Sequence, residues 1–480
     1  MSTSAQAPAE PVLWERARDQ LRTWIIDGAL PAGMPLPEQE LARRLGMSRN
    51  PVREALRTLQ RDGWVVSRGR LGVRVRDADP AEGADVLEVR ALLDVAVSGR
   101  AARRRHVEEL PAIERLLTRG ETATANGAVE ELVELNREFH HLVAGMARSP
   151  VLAELLDHLD VRVRWFFAQV AHARSTSSWH EHSELARAIM DGDASAAVAV
   201  ARRHTAETLF AYQQRTGLDR RSMADGYAWE LGADESARLQ PREGNEPYVT
   251  AEEDGQGGAV DATGLRRLQQ DDPLWMRVYR ELEREIMARR LAPGSALVED
   301  TIAKQLGVSR IPVREALRML ERDGWVVTRP RAGATVRTVS PAEATELFEV
   351  RGLLEAHAAG RAAQRATARE VESLRSLISD EQRAYDHGDR VAIVTLNDQF
   401  HDEITRMSGN HTLRELTLRV AKQVAWLVAS FAGTARAPRL DDHRVLVEAI
   451  EAADVERAAG LAREHVESAR QAYAGRVGSG

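Results

Sequence analysis

The chain has 480 residues, 43% of them hydrophobic, which is enough for three or four domains of roughly 100–200 residues with packed cores. It has no cysteine, which excludes a disulfide framework, thiolate zinc sites and cysteine nucleophiles and fits a reducing compartment. Residues 1–11 lack the basic start and apolar core of a signal peptide, and no apolar run approaches the ~20 residues that span a bilayer, so a soluble cytoplasmic protein with no membrane partner is expected. The net charge of −7 is unevenly spread. Arg43–Arg76 holds ten arginines against Glu54 and Asp62, and Lys304–Arg337 holds eight basic residues against three acids. Two basic islands in an acidic chain point to two sites for a polyanion.

The islands are copies of one another. An offset of 261 positions links Trp14 to Trp275, Trp64 to Trp325, Arg90 to Arg351, His140 to His401 and Tyr212 to Tyr473. Between Ser48–Val66 and Ser309–Val327, 16 of 19 positions are identical. A period this long is a duplicated module, since solenoid units run to roughly 20–50 residues.

In chain order, each repeat opens with a predicted helix at Trp14–Ile26 (Trp275–Met287), closed by a Gly/Pro turn. A second helix follows at Glu38–Leu45 (Glu299–Leu306), stopped by Gly46 (Gly307). A third starts after Ser48 (Ser309), expected as its N-cap, and tolerates Pro51 (Pro312) in its first turn. Trp64-Val65-Val66 and Val73-Arg74-Val75 then read as a small β-hairpin. From Pro80 to Tyr212, and from Pro341 to Tyr473, the apolar spacings of three and four are helical throughout. Residues 213–270 turn to Gly, Asp, Glu and Gln and are expected to be a linker of about 50 residues with a reach on the order of 40 Å. The expected domains are therefore 12–79, 80–212, 271–340 and 341–473.

In the third helix Arg49, Arg53 and Arg57 recur every four residues, so three guanidinium groups share one face, while Val52, Leu56 and Leu59 face a core. The second repeat has Arg310, Arg314 and Arg318 against Val313, Leu317 and Leu320. A short helix, a tight turn, an arginine-faced helix and a basic hairpin (Arg68, Arg70 and Arg74; Arg331 in the second copy) are what a winged helix-turn-helix requires. The helix reaches guanine edges in the major groove and the hairpin approaches phosphates or the minor groove.

Ser48-Arg49-Asn50-Pro51-Val52-Arg53-Glu54-Ala55-Leu56-Arg57 with Arg61-Asp62-Gly63-Trp64, and its copy Ser309–Arg318 with Arg322-Asp323-Gly324-Trp325, resemble the recognition-helix signature of GntR-family bacterial transcription regulators. The resemblance implies that Ser48, Arg49 and Arg53, with Ser309, Arg310 and Arg314, contact operator DNA. Family members often carry an arginine in the preceding helix where this chain has Gln39 and Asp300. A carboxylate facing phosphate is unfavourable and Arg74 becomes Thr335, so the first reader is expected to bind more tightly.

The helical segments carry a second repeated cluster. Asn136 and His140 are one turn apart on one face, with His182 and His204 on later helices; Asn397, His401, His443 and His465 repeat the set. Three neutral imidazoles and an amide oxygen can hold zinc or a similar divalent ion with coordination left for a ligand, though buried hydrogen-bonded histidines would have the same pattern. The layout resembles the all-helical FCD ligand-binding domain of the FadR subgroup, which implies a metal-linked effector pocket; that subgroup typically has Asp where this chain has Asn. Arg90 and Arg351 match its first helix, and each is read both as an ion pair with Asp94 or Glu355 and as a clamp on an effector carboxylate.

The expected fold is mainly α, with two winged helix-turn-helix domains, each with a small β-hairpin wing, and two all-helical ligand-binding domains. The expected function is a metabolite-responsive repressor with two DNA readers and two pockets for a small carboxylated metabolite. The fused chain would form its dimer internally, with further self-association open. No nucleophile motif or general base accompanies the histidines, so no enzyme is expected; the rivals are a metal-dependent hydrolase and a DNA-bound structural protein with vestigial pockets.

Overall fold

The protein is described by a computed structural model, in which residues 13–26, 28–61, 63–67, 72–77, 79–218, 273–329, 333–429 and 440–477 are described. Most of the expected linker and the wing residues Arg68, Arg70 and Arg331 lie outside these residues. The chain folds as two compact units, one per repeat.

In the first unit α1 (Leu13–Ile26), α2 (Glu38–Leu45) and α3 (Arg49–Arg61) precede β1 (Val65–Ser67) and β2 (Val73–Val75). Gly46 ends α2 in the left-handed conformation, φ 64°, as glycine allows without a Cβ penalty. The strands pair antiparallel with Val65 opposite Val75. The bundle follows: α4 (Pro80–Arg104), α5 (Leu110–Ala125), α6 (Val129–Met146), α7 (Pro150–Asp191) and α8 (Ala194–Thr216). The helical reading therefore holds, with α8 running four residues past Tyr212.

The second unit repeats this order with α9 (Leu274–Met287), β3 (Ala296–Leu297), α10 (Glu299–Leu306), α11 (Arg310–Arg322), β4 (Val326–Arg329) and β5 (Gly333–Val336). Its bundle is α12 (Pro341–Arg365), α13 (Ala368–Asp386), α14 (Arg390–Met407), α15 (His411–Ala429), α16 (Leu440–Glu451) and α17 (Val455–Val477). Here the hairpin becomes a three-stranded sheet in the order β3-β5-β4. At the matching place in the first unit a single bridge joins Pro35 to Arg74. The bonds that flank this bridge, Leu36 N–H to the Val73 carbonyl at 2.8 Å and Val75 N–H to the Met34 carbonyl at 2.9 Å, are made without the Pro35 nitrogen. Ser309 is the N-cap residue of α11, in extended backbone as expected, although its side chain makes no capping hydrogen bond.

The core explains why reader and bundle act as one body within each repeat. In the first unit Leu21, Val52, Leu59, Trp64 and Val75 of the winged helix share a continuous buried cluster with Val86, Phe166 and Tyr212 of the bundle. Trp64 packs against Trp165 of α7 with ring centroids 5.3 Å apart and planes tilted by 42°. Trp325 meets Trp426 of α15 at 6.1 Å, and Trp426 Nε1 donates to the Ile286 carbonyl at 3.1 Å. No described helix is long and apolar enough to cross a membrane.

Candidate nucleic-acid interface and effector centre

Helix α3 has its apolar face buried, with Val52 and Leu59 at 0% exposure and Leu56 at 3%. The same is true of Val313, Leu317 and Leu320 in α11. That fixes the opposite face outward: the side chains of Arg49, Arg53 and Arg57 are 59%, 42% and 68% exposed. Arg310 and Arg314 are likewise exposed, and Arg318 lies on the same face.

The first two arginines of each face are held by carboxylates from the preceding helix, while Arg57 pairs with Glu54 of its own helix at 2.8 Å. Arg53 donates from Nε and Nη2 to both oxygens of Glu38 at 2.8–3.1 Å, which draws the Glu38 carboxyl below its ordinary value. Arg314 and Glu299 repeat the fork at 2.8–3.2 Å. The copies differ at the next position: Asp300 pairs with Arg310, whereas Arg49 reaches only Glu38, at 3.5 Å, because position 39 is glutamine. One expectation is corrected: Arg74 turns inward and donates to the Gly33 carbonyl at 2.9 Å instead of approaching phosphate.

In the bundle, the histidines come together as the spacing predicts. The nitrogens of His140, His182 and His204 lie within 4.8 Å of one another, as do those of His401, His443 and His465. Burial pushes His140 down to about 3 and His465 down to about 2, and holds His182 and His401 well below the usual imidazole range. They are therefore neutral at pH 7, the form that ligates a metal. His401 Nε2 and His443 Nε2 are buried without a hydrogen-bond partner, as unoccupied donor atoms for a cation would be. The residues present fit a divalent ion.

A cavity of about 530 Å³ opens beside the first cluster, lined by Asn136, His140 and His204 together with Arg90. Arg90 Nε donates to both oxygens of Asp94 at 2.9 Å, so it is ion-paired and faces the cavity at once. Sequence reasoning missed two further cations on the wall, Arg137 and Arg164, each paired to an acid of its own helix, Glu134 and Asp160. At the matching positions the second repeat has Asp398 and Ala425, and Thr205 and Thr208 become Val466 and Ala469. Arg351 remains, bonded to Glu355 at 2.5 Å. The offset could have shown these losses, but nothing in sequence alone placed those positions on a cavity.

An exposed recognition helix sharing one core with a bundle that holds a histidine-lined cavity defines a DNA-binding transcription regulator with a small-molecule domain. Comparison with known proteins gives the family. The FCD domain matches residues 85–207 and 346–468, and the family described as bacterial regulatory proteins, gntR family, matches residues 13–75 and 274–336. The chain belongs to the GntR family of transcription regulators and carries both of its domains twice in tandem. Among its relatives is the probable D-xylose utilization operon transcriptional repressor of Paenarthrobacter nicotinovorans, 32% identical over 38% of this chain and 80% of that one. The uncharacterized HTH-type regulator YdhC of Bacillus subtilis is 28% identical over 42% of this chain and 89% of that one. Among solved structures, Escherichia coli McbR/YncC is 23% identical and covers 43% of this chain and 99% of its own, with a TM-score of 0.38.

Proposed function

We propose that the chain is a cytoplasmic, metabolite-responsive repressor that reads one operator with both winged helices of a single polypeptide, an intramolecular counterpart of a dimer. The observation that carries this reading is the repetition, in both copies, of an outward arginine face on a helix whose other face is buried. Arg49, Arg53 and Arg57, with Arg310, Arg314 and Arg318, would meet base edges and phosphates, and Ser48 and Ser309 the backbone. Arg70 and Arg331 would add wing contacts. Because Asp300 competes for Arg310, the first reader binds more tightly, and the operator is an imperfect palindrome.

A divalent ion such as zinc would be held by His140, His182 and His204 with Asn136, and by His401, His443 and His465 with Asn397. It would supply a Lewis-acid anchor. With asparagine in place of aspartate the donor set is neutral, which leaves the full positive charge of the ion to attract a small carboxylated metabolite. Arg90 and Arg351, each fixed by an acid one turn away, would orient that carboxylate. Ligand can move the readers only through unequal affinity for two arrangements of the protein.

The test is selection of bound fragments from random DNA. Enriched sequences should carry two unlike half-sites, and Arg49→Ala should erase preference at one half while Arg310→Ala erases it at the other. No enrichment at low salt would end the reading.

A further inference from the structure

We propose that the two histidine centres are unequal, and that the second is the tighter divalent-metal site because Glu381 prepares His443 as a ligand. The proposal rests on the metal reading above and concerns residues that differ between the copies.

Position 120 in α5 is glycine, and a Cβ added there would fall 1.6 Å from Trp179, whose ring fills that space. The matching positions in the second repeat are Glu381 and Leu440. In one copy a glycine leaves room for a large ring; in the other the matching positions hold a carboxylate and a smaller aliphatic residue. The consequence falls on the middle histidine. His443 Nδ1 bonds to Glu381 Oε2 at 3.2 Å, with both side chains 1% exposed. His182 Nδ1 is buried with no partner.

That difference sets the tautomers. With Glu381 accepting from Nδ1–H, the Nε2 of His443 is left as a bare lone pair, and it is buried and unpartnered. The ring is already in the form a metal needs. In the first centre His182 Nε2 lies 3.3 Å from His204 Nε2, and His204 Nδ1 is 2.6 Å from Glu181. Since Glu181 takes the Nδ1 proton of His204, the proton shared between the two Nε2 atoms comes from His182. Binding a cation there breaks that bond and moves the proton to Nδ1, where no acceptor waits. Of the remaining rings only the first of each set leans the same way, with a carboxylate oxygen 3.3 Å from His401 Nδ1 against 3.7 Å for His140. In the last ring the order reverses, with Glu181 2.6 Å from His204 Nδ1 and Asp442 3.4 Å from His465 Nδ1.

Loss of one such outer partner typically lowers metal affinity about ten- to a hundredfold. The full chain, stripped with a chelator and titrated with cobalt(II), should therefore show two steps in its visible absorption, about ten- to a hundredfold apart. His443→Ala should remove the tight step and His182→Ala the weak one. Exchanging the first copy's pair into the second, Glu381→Gly with Leu440→Trp, keeps the space filled and should merge the steps. Two equal steps, or a tight step lost with His182→Ala instead, would overturn the inequality while leaving the metal reading intact. No cobalt binding at either centre would overturn both.

Discussion

At the scale of single residues, the proposed DNA face would set carboxylate and phosphate in competition for the same guanidinium. Glu38 and Glu299 hold Arg53 and Arg314 identically, so they do not distinguish the readers. Asp300 does, because its pairing with Arg310 has no equivalent beyond the longer contact of Arg49 to Glu38. A base contact by arginine is worth about 1–3 kcal/mol. Arg49→Ala should therefore weaken operator binding roughly five- to 150-fold at fixed salt, and Arg310→Ala should cost less, read by fluorescence anisotropy on one labelled duplex. A larger loss at Arg310 would reverse the order assigned to the readers. The residues in this comparison were legible in the sequence, because arginine every fourth position beside an apolar stripe has one helical interpretation. So were the histidines, rare residues repeated at a fixed offset. Glu381 and Gly120 were not legible, since each has meaning only beside a residue about sixty positions away that fills or vacates the same space.

At the scale of elements, the copies have the same helices but different fastenings. Tyr279 of α9 donates to Asp323, just past α11, at 2.7 Å, and so ties the first helix of the reader to the end of its recognition helix. Position 18 in the first copy is arginine, which bonds instead to its neighbour Asp19. Burial, with the negative charge of Asp323 added, pushes the Tyr279 phenol above its ordinary value. A raised phenol favours the folded state while it is protonated. Its contribution is complete below the unfolded value near 10 and is lost as pH rises beyond that value. Thermal unfolding of the second reader should thus lose stability between about pH 9 and 11 more steeply than Tyr279→Phe, which should already be about 1 kcal/mol weaker at pH 7. Parallel pH curves for the two proteins would show the bond contributes nothing. Helix order was readable from spacing because many stops are marked by glycine or proline, though α4, α12 and α16 end at Arg105, Ala366 and Ala452-Ala453 without either. The third strand at Ala296–Leu297 was not, since two residues are too few for any period.

At the scale of the whole molecule, what matters is that reader and sensor are continuous within each repeat while the repeats are joined by chain. Trp165 follows Arg164, on the cavity wall, and packs against Trp64 within the buried cluster that reader and bundle share, so a shift of α7 would be felt at the reader through that core. Coupling between the two readers has a different origin. On the proposed reading, both readers belong to one chain, so engagement of the second half-site is intramolecular once the first is bound, with no assembly step. A non-covalent dimer would instead dissociate on dilution and give steep isotherms. Binding to a full operator should therefore be first order in chain, with a Hill coefficient near 1 down to nanomolar protein. It should also have the salt dependence of two readers, because each phosphate neutralised adds about 0.9 to the slope of log affinity against log salt. Converting Arg310, Arg314 and Arg318 together to alanine should bring that slope down towards half, leaving the Hill coefficient unchanged. If the slope stays the same, the second reader is not on the DNA. If the isotherm of the unmodified chain steepens with dilution, two chains rather than one occupy the operator, and the duplication serves assembly instead of replacing it.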